Sequence, residues 1–220
     1  MKATVLEVIK ENSEVRTLKL NLEQEITFEP GQFITIIYNI ENKLVRRAYS
    51  ISHWAEQPTK TITISLNQAP NGTISPKLYN VKVNDVLELE GAFGVFKLNK
   101  SNNPALFLAA GTGVTPLNTM IESEEKRDLT LIYSVRSEDL ILFNETLNKQ
   151  SNLKFIPTVT DNIPESWTGK TGRINKELIE NNLKENTEIY ICGMQEFVRA
   201  MITILESLNV QKERIHTERW

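Results

Sequence analysis

Over the first hundred residues, apolar and polar side chains alternate with a period close to two, the signature of half-buried strands. The clearest runs are Thr4–Val8, Val15–Leu20, Gln32–Ile37, Val45–Ser50, Thr61–Leu66 and Val86–Glu90, most of them rich in Val, Ile, Leu or Thr. Pro30-Gly31, Pro70-Asn71-Gly72 and Asn84-Asp85 punctuate them as turns. Roughly six strands with almost no helical spacing predict a small antiparallel barrel or sandwich.

The pattern changes at Lys100-Ser101-Asn102-Asn103-Pro104, a polar stretch that reads as a linker. Beyond it, apolar strands at Ala105–Ala109, Leu129–Tyr133, Lys154–Val159 and Glu188–Cys192 alternate with helical spacing. The helices are expected at Thr115–Glu122, Glu138–Asn148, Lys176–Asn182 and Gln195–Leu208. Alternating strand and helix predicts an α/β domain on a parallel sheet, with ligands beyond the carboxyl ends of its strands. The expected organisation is an antiparallel β-barrel over residues 1–100 followed by an α/β parallel-sheet nucleotide-binding domain over residues 101–220.

Composition narrows the chemistry. The 220 residues are 40% hydrophobic and 24% charged with a formal charge of −3, so there is no basic footprint for nucleic acid. A single cysteine, Cys192, makes no internal disulfide and holds no iron–sulfur cluster. A redox centre would therefore be an organic cofactor or sit on another protein. The first residues, Met1-Lys2-Ala3-Thr4-Val5, lack the apolar run of a signal peptide, and no segment is long enough to cross a bilayer. The expected location is the cytoplasm, without membrane insertion.

Three segments suggest ligand chemistry. Arg47-Ala48-Tyr49-Ser50 ends a strand: the arginine fork suits a diphosphate and the tyrosine ring can lie on an aromatic group, although such a tetrapeptide also arises by chance on edge strands. Asn71-Gly72-Thr73-Ile74-Ser75-Pro76 leads from a turn into a short helical signal, which reads as an anion site or as a capped hairpin turn. Ala109-Ala110-Gly111-Thr112-Gly113-Val114-Thr115-Pro116 follows the first buried strand; its glycines let backbone approach a phosphate, and Pro116 suits a helix start.

In this order the three segments resemble the ferredoxin–NADP⁺ reductase family, whose Arg-x-Tyr-Ser/Thr, Gly-x-x-Ser and Gly-Thr-Gly-x-x-Pro motifs they match. Gly91-Ala92-Phe93-Gly94-Val95-Phe96 is similar to the family's Gly-Pro-x-Gly-x-Phe, with Ala92 in place of proline. Tyr133-Ser134-Val135-Arg136 and Ile191-Cys192-Gly193-Met194 match further segments, so the resemblance covers nearly the whole chain.

The resemblance implies an NAD(P)H-dependent flavoprotein reductase. Arg47 and Ala48 would lie at the flavin phosphates, Tyr49 would stack on the isoalloxazine, and Ser50 would hydrogen-bond near N5. Gly72, Thr73, Ile74 and Ser75 would hold the pyrophosphate, favouring FAD over FMN. Gly111, Thr112, Gly113, Thr115 and Pro116 would cradle the nicotinamide cofactor, with Cys192, Gly193 and Met194 beside its reacting ring. Thr217-Glu218-Arg219-Trp220 resembles a family ending in which Glu218 lines the nicotinamide pocket and Trp220 covers the flavin; the alternative is a disordered tail. Ser50, Cys192, Glu218 and Trp220 are thus the expected catalytic group.

Asp161 stands where NADPH-specific relatives carry arginine, which favours NADH because a carboxylate repels a 2′-phosphate; Arg136 or Arg173 would be the alternative source of positive charge. Cys192 also reads as a small buried apolar residue, and His53 and His216 read as surface or packing residues. The implied acceptor is a ferredoxin, a flavodoxin or an oxygenase component. The alternatives are a flavin or ferric reductase, or an electron-transfer subunit of a larger complex.

Overall fold

The structure is a computed structural model that describes every residue except Glu41, Pro70, Asn71, Thr73 and Trp220. It divides into two compact units: Met1–Leu98 with Asn118–Ser123, and Asn99–Leu117 with Glu124–Trp220.

In the first unit, all six expected strands form: β1 (Lys2–Lys10), β2 (Val15–Ile26), β3 (Phe33–Ile40), β4 (Lys43–Ser50), β5 (Thr59–Asn67) and β6 (Val86–Phe93). They pair antiparallel in the order β4-β3-β6-β1-β2-β5. A bridge from Ile51, just after β4, to Ile64 on β5 brings the two edges together, so the sheet closes on itself as the alternation predicts. Inward positions such as Val5, Leu18, Leu20, Ile34, Ile36, Ile64 and Leu89 are fully buried and make one core. A short helix, α1 (Ser75–Tyr79), lies between β5 and β6, and Ile74 and Leu78 are both buried in that core.

In the second unit, six strands form a sheet in the order β10-β9-β8-β7-β11-β12. The strands are β7 (Ala105–Ala110), β8 (Leu129–Ser137), β9 (Leu153–Asn162), β10 (Lys170–Thr171), β11 (Glu188–Gly193) and β12 (Ile215–Arg219), and every pairing is parallel. The helices are α2 (Val114–Glu122), α3 (Asn144–Lys149), α4 (Lys176–Glu180) and α5 (Gln195–Ser207). One apolar side of α5, through Val198, Met201 and Leu205, joins Leu106, Ile132, Ile189 and Ile191 in a second core.

One expectation and one alternative reading need correction. The helix expected over Glu138–Asn148 is broken: Glu138–Leu140 is a 3-10 turn, and α3 begins only after Phe143, whose φ of 57° is left-handed. Phe143 is buried there, so its packing outweighs the local helical spacing. The carboxyl end, for which a disordered tail was the alternative, is strand β12, paired with β11 from Ile189↔Ile215 to Gly193↔Arg219. Among the described residues, no helix is long and apolar enough to cross a membrane.

Candidate functional site

The first unit brings together two segments well separated in sequence. The Ser75 side chain and Arg47 both lie near enough to Tyr49 to favour the ionised form of its hydroxyl. Burial raises the Tyr49 pKa, so the phenol stays protonated at neutral pH. β4 is an outer strand of the hydrogen-bonded order, and it leaves Arg47 and Ala48 exposed while Ser50 is buried. Among the described residues, Arg47 Nη1 donates to the neighbouring Arg46 carbonyl, at 2.9 Å. The Ser50 hydroxyl is buried with no hydrogen-bond partner among the described residues. Such an orphan normally costs stability unless a ligand satisfies it. An exposed guanidinium, a part-buried phenol and an unsatisfied hydroxyl within four residues fit a flavin diphosphate and ring.

Ile74 differs from this group, because its side chain is committed to the core. Gly72 forms the turn itself, its N–H donating to the Ala69 carbonyl at 2.8 Å. The expectation for Thr73 falls outside the described residues, as does that for Trp220.

No sequence motif marks the contacts that hold the segment after this strand. Glu122 Oε1 lies 2.8 Å from His53 Nδ1, and its Oε2 accepts the Trp54 N–H at 2.7 Å. Asn118 Nδ2 donates to the Ser52 carbonyl at 2.8 Å and to Glu122 Oε1 at 3.0 Å. These contacts fix Ser52-His53-Trp54, which follows the Arg47–Ser50 segment after Ile51. His53 is thereby a packing residue, and His216, 2.9 Å from Glu188 Oε2 and stacked on Tyr190, is another.

In the second unit, the expected residues gather at the carboxyl ends of the parallel strands. Gly111, Thr112 and Gly113 follow β7, Arg136 lies near the end of β8, Asp161 near the end of β9, and Cys192 and Gly193 end β11. From β7 the chain builds outward through β8, β9 and β10, then returns to the other side of β7 with β11 and β12. The order therefore reverses between β7 and β11, where a doubly wound sheet opens a crevice for ligands. Gly113 stands at that point, and a Cβ there would lie 2.3 Å from the Cys192 carbonyl oxygen. Gly111, with φ +53° and open space around its α-carbon, leaves a backbone approach clear. Thr115 is buried and donates its hydroxyl to the Thr112 carbonyl at 2.9 Å, locking the turn; Pro116 is buried in α2. Met194 is well exposed at the start of α5.

Glu218 pairs in register with Cys192 and carries a buried Oε2 with no partner among the described residues. Burial lifts its carboxyl from the ordinary 4.5 to about 7. The folded chain then holds this proton more tightly than the unfolded chain, so the proton's stabilising effect is full below pH 4.5 and is lost as the pH rises towards about 7. Glu218→Gln is expected to flatten that part of the melting-temperature profile. Parallel profiles for the two proteins over that range would show that folding does not raise the Glu218 pKa.

Comparison with known proteins agrees with both units. An oxidoreductase FAD-binding domain matches residues 2–98, and an oxidoreductase NAD-binding domain matches residues 107–202. The chain belongs to the ferredoxin reductase-like family. The two matched domains are those with which oxidoreductases bind FAD and a nicotinamide dinucleotide. It is 29% identical over 230 residues to the glycine betaine monooxygenase reductase subunit of Pseudomonas aeruginosa, covering 97% of this chain and 62% of that protein. It is 27% identical over 234 residues to the phenol hydroxylase P5 protein of Acinetobacter pittii, covering 99% of this chain and 65% of that one. The chain thus spans somewhat under two thirds of these relatives. Its fold superposes on the flavohem-like FAD/NAD-binding domain of nitric oxide dioxygenase from Vibrio cholerae with a TM-score of 0.90 and 25% identity, covering 100% of this chain and 98% of that one.

Proposed function

We propose that this chain accepts hydride from NADH in preference to NADPH and delivers the electrons to a separate redox protein: a ferredoxin, a flavodoxin or an oxygenase component. The observation that carries the reading is the orphaned Ser50 hydroxyl beside Tyr49 and Arg47. Two relatives, a monooxygenase reductase subunit and a phenol hydroxylase component, support an oxygenase-type acceptor. FAD, when bound, supplies the change from a two-electron donor to one-electron acceptors.

The chain's own residues bind and orient. Arg47 holds diphosphate oxygens through charge-assisted hydrogen bonds, while Tyr49 presents its ring to the isoalloxazine. The Ser50 hydroxyl, buried without a partner among the described residues, would donate to the flavin ring. Gly72 and Ser75 support the pyrophosphate, which favours FAD over FMN. The Gly111–Gly113 backbone approaches the coenzyme diphosphate, and Cys192, Gly193 and Met194 line the nicotinamide. Glu218, its carboxyl lifted to about 7, carries only part of a negative charge beside Cys192 at neutral pH.

Asp161 is exposed near the carboxyl end of β9, on the strand next to the one carrying Arg136. Its charge disfavours a 2′-phosphate and accepts a ribose hydroxyl. Asp161→Ser is expected to raise kcat/KM for NADPH about tenfold, the equivalent of ~1.4 kcal/mol, with NADH changed less than about threefold. Equal effects on the two coenzymes would remove Asp161 from specificity.

The acceptor is tested by adding the NADH-reduced protein to an oxidised ferredoxin, a flavodoxin, free FMN or ferric citrate. A kcat/KM at least about tenfold higher for a protein acceptor supports the proposal. Faster turnover with free FMN or ferric citrate would make this a flavin or ferric reductase instead.

A further inference from the structure

Tyr133 sits on β8, fully buried, one strand away from the glycine loop. Its hydroxyl donates to the Gly111 carbonyl oxygen at 2.9 Å and lies 3.5 Å from the Leu142 N–H. Those two partners belong to different loops: Gly111 opens the turn after β7, and Leu142 precedes the left-handed Phe143 before α3. Desolvation drives the Tyr133 pKa far above its ordinary value, so the hydroxyl remains a donor at any working pH. Gly111 has no neighbour that a side chain would meet, and its φ of +53° is a conformation that a glycine reaches and leaves freely. Within the turn the Val114 N–H donates to the Gly111 and Thr112 carbonyls, and Tyr133 adds a second contact to the Gly111 carbonyl from a neighbouring strand. Thr115 pins the next carbonyl, of Thr112, from the helix side.

From this geometry we infer that Tyr133 is a positioning residue for the nicotinamide coenzyme: its hydroxyl fixes the Gly111 peptide so that the following N–H groups point to where the diphosphate binds. The inference rests on the reading of Gly111–Gly113 as the coenzyme loop. A preorganised loop does not have to be ordered at the moment of binding, so the effect falls on affinity and leaves the rate of hydride transfer at saturation nearly unchanged.

Tyr133→Phe tests this, since it removes one oxygen and leaves the ring filling the same space. The FAD-loaded protein is titrated with NAD⁺ by calorimetry, and exchange of the Thr112 and Gly113 amides is followed without coenzyme. The expected result is an NAD⁺ Kd raised about fivefold to tenfold, faster exchange at both amides, unchanged FAD retention, and flavin reduction at saturating NADH within about twofold of wild type. A lower melting temperature with an unchanged Kd would make Tyr133 a core residue only and overturn the inference. Should the variant melt too early for titration, the exchange measurement, made at low temperature, decides alone: unaltered protection at Thr112 and Gly113 overturns it. Gly113→Ala serves as the control. If it weakens NAD⁺ binding while Tyr133→Phe does not, only the role of Tyr133 fails. If neither variant does, the coenzyme-loop reading fails as well.

Discussion

Gly113→Ala is expected to abolish effective reduction by the nicotinamide coenzyme while FAD stays bound. The new methyl carbon would lie 2.3 Å from the Cys192 carbonyl oxygen, 2.5 Å from its carbon and 2.7 Å from the Gly193 nitrogen. All three atoms are backbone near the end of β11, where they cannot rotate aside as a side chain would. Either the turn after β7 or the end of β11 must move, at a strain cost of about 1–3 kcal/mol. Both segments belong to the proposed coenzyme site, so the displacement also spoils its geometry. We expect the apparent Kd for NADH to rise at least about a hundredfold, read from flavin bleaching at increasing coenzyme. The flavin spectrum of the unreduced variant should match wild type, because Arg47, Tyr49, Ser50 and Ser75 lie in the other unit. A Kd within about threefold of wild type would show that the β7–β11 crevice does not take the coenzyme.

Arg47→Ala should have the second large effect, on FAD itself. The side chain is exposed on β4 and donates to one backbone carbonyl, so its removal takes little from the fold. What is lost is the charge-assisted pairing with the flavin diphosphate, about 1.5–3 kcal/mol, or roughly a tenfold to hundredfold rise in the FAD Kd. Arg47→Lys should restore only part of it, because an ammonium cannot make the paired contact of a guanidinium. Apoprotein melting temperatures should agree among the three proteins. An unchanged FAD Kd for Arg47→Ala would place the diphosphate elsewhere.

The barrel was legible because its core positions are local in sequence: β1 buries Ala3 and Val5, and β3 buries Ile34 and Ile36, in a period of two. The ends were less legible. β2 runs on to Ile26 through the polar Glu23-Gln24-Glu25, where the pairing with β5 is interrupted and no apolar pattern marks the strand. β12 was hidden for a related reason. Ile215-His216-Thr217-Glu218-Arg219 carries one aliphatic side chain, and its strand form depends on β11, more than twenty residues earlier in the chain.

The candidate site divides in the same way. Its glycine loop and its Arg-x-Tyr-Ser segment show in the sequence because backbone approach and diphosphate binding demand those residue types. The contacts that organise them do not show. Tyr49 with Ser75, Tyr133 with Gly111, and Glu122 with His53 each join residues that only the fold makes neighbours. Nothing in Thr217-Glu218-Arg219 signals that one carboxylate oxygen is buried without a partner, yet that burial keeps Glu218 protonated to about pH 7.

The most direct test is an anaerobic visible spectrum of the purified protein, recorded before and after NADH or NADPH is added in turn. The expected result is flavin absorption that is retained on desalting or restored by added FAD, and that NADH bleaches faster than NADPH. A colourless protein that takes up no FAD would contradict it, because the unsatisfied Ser50 hydroxyl and the adjoining Tyr49 and Arg47 would then have no flavin to serve.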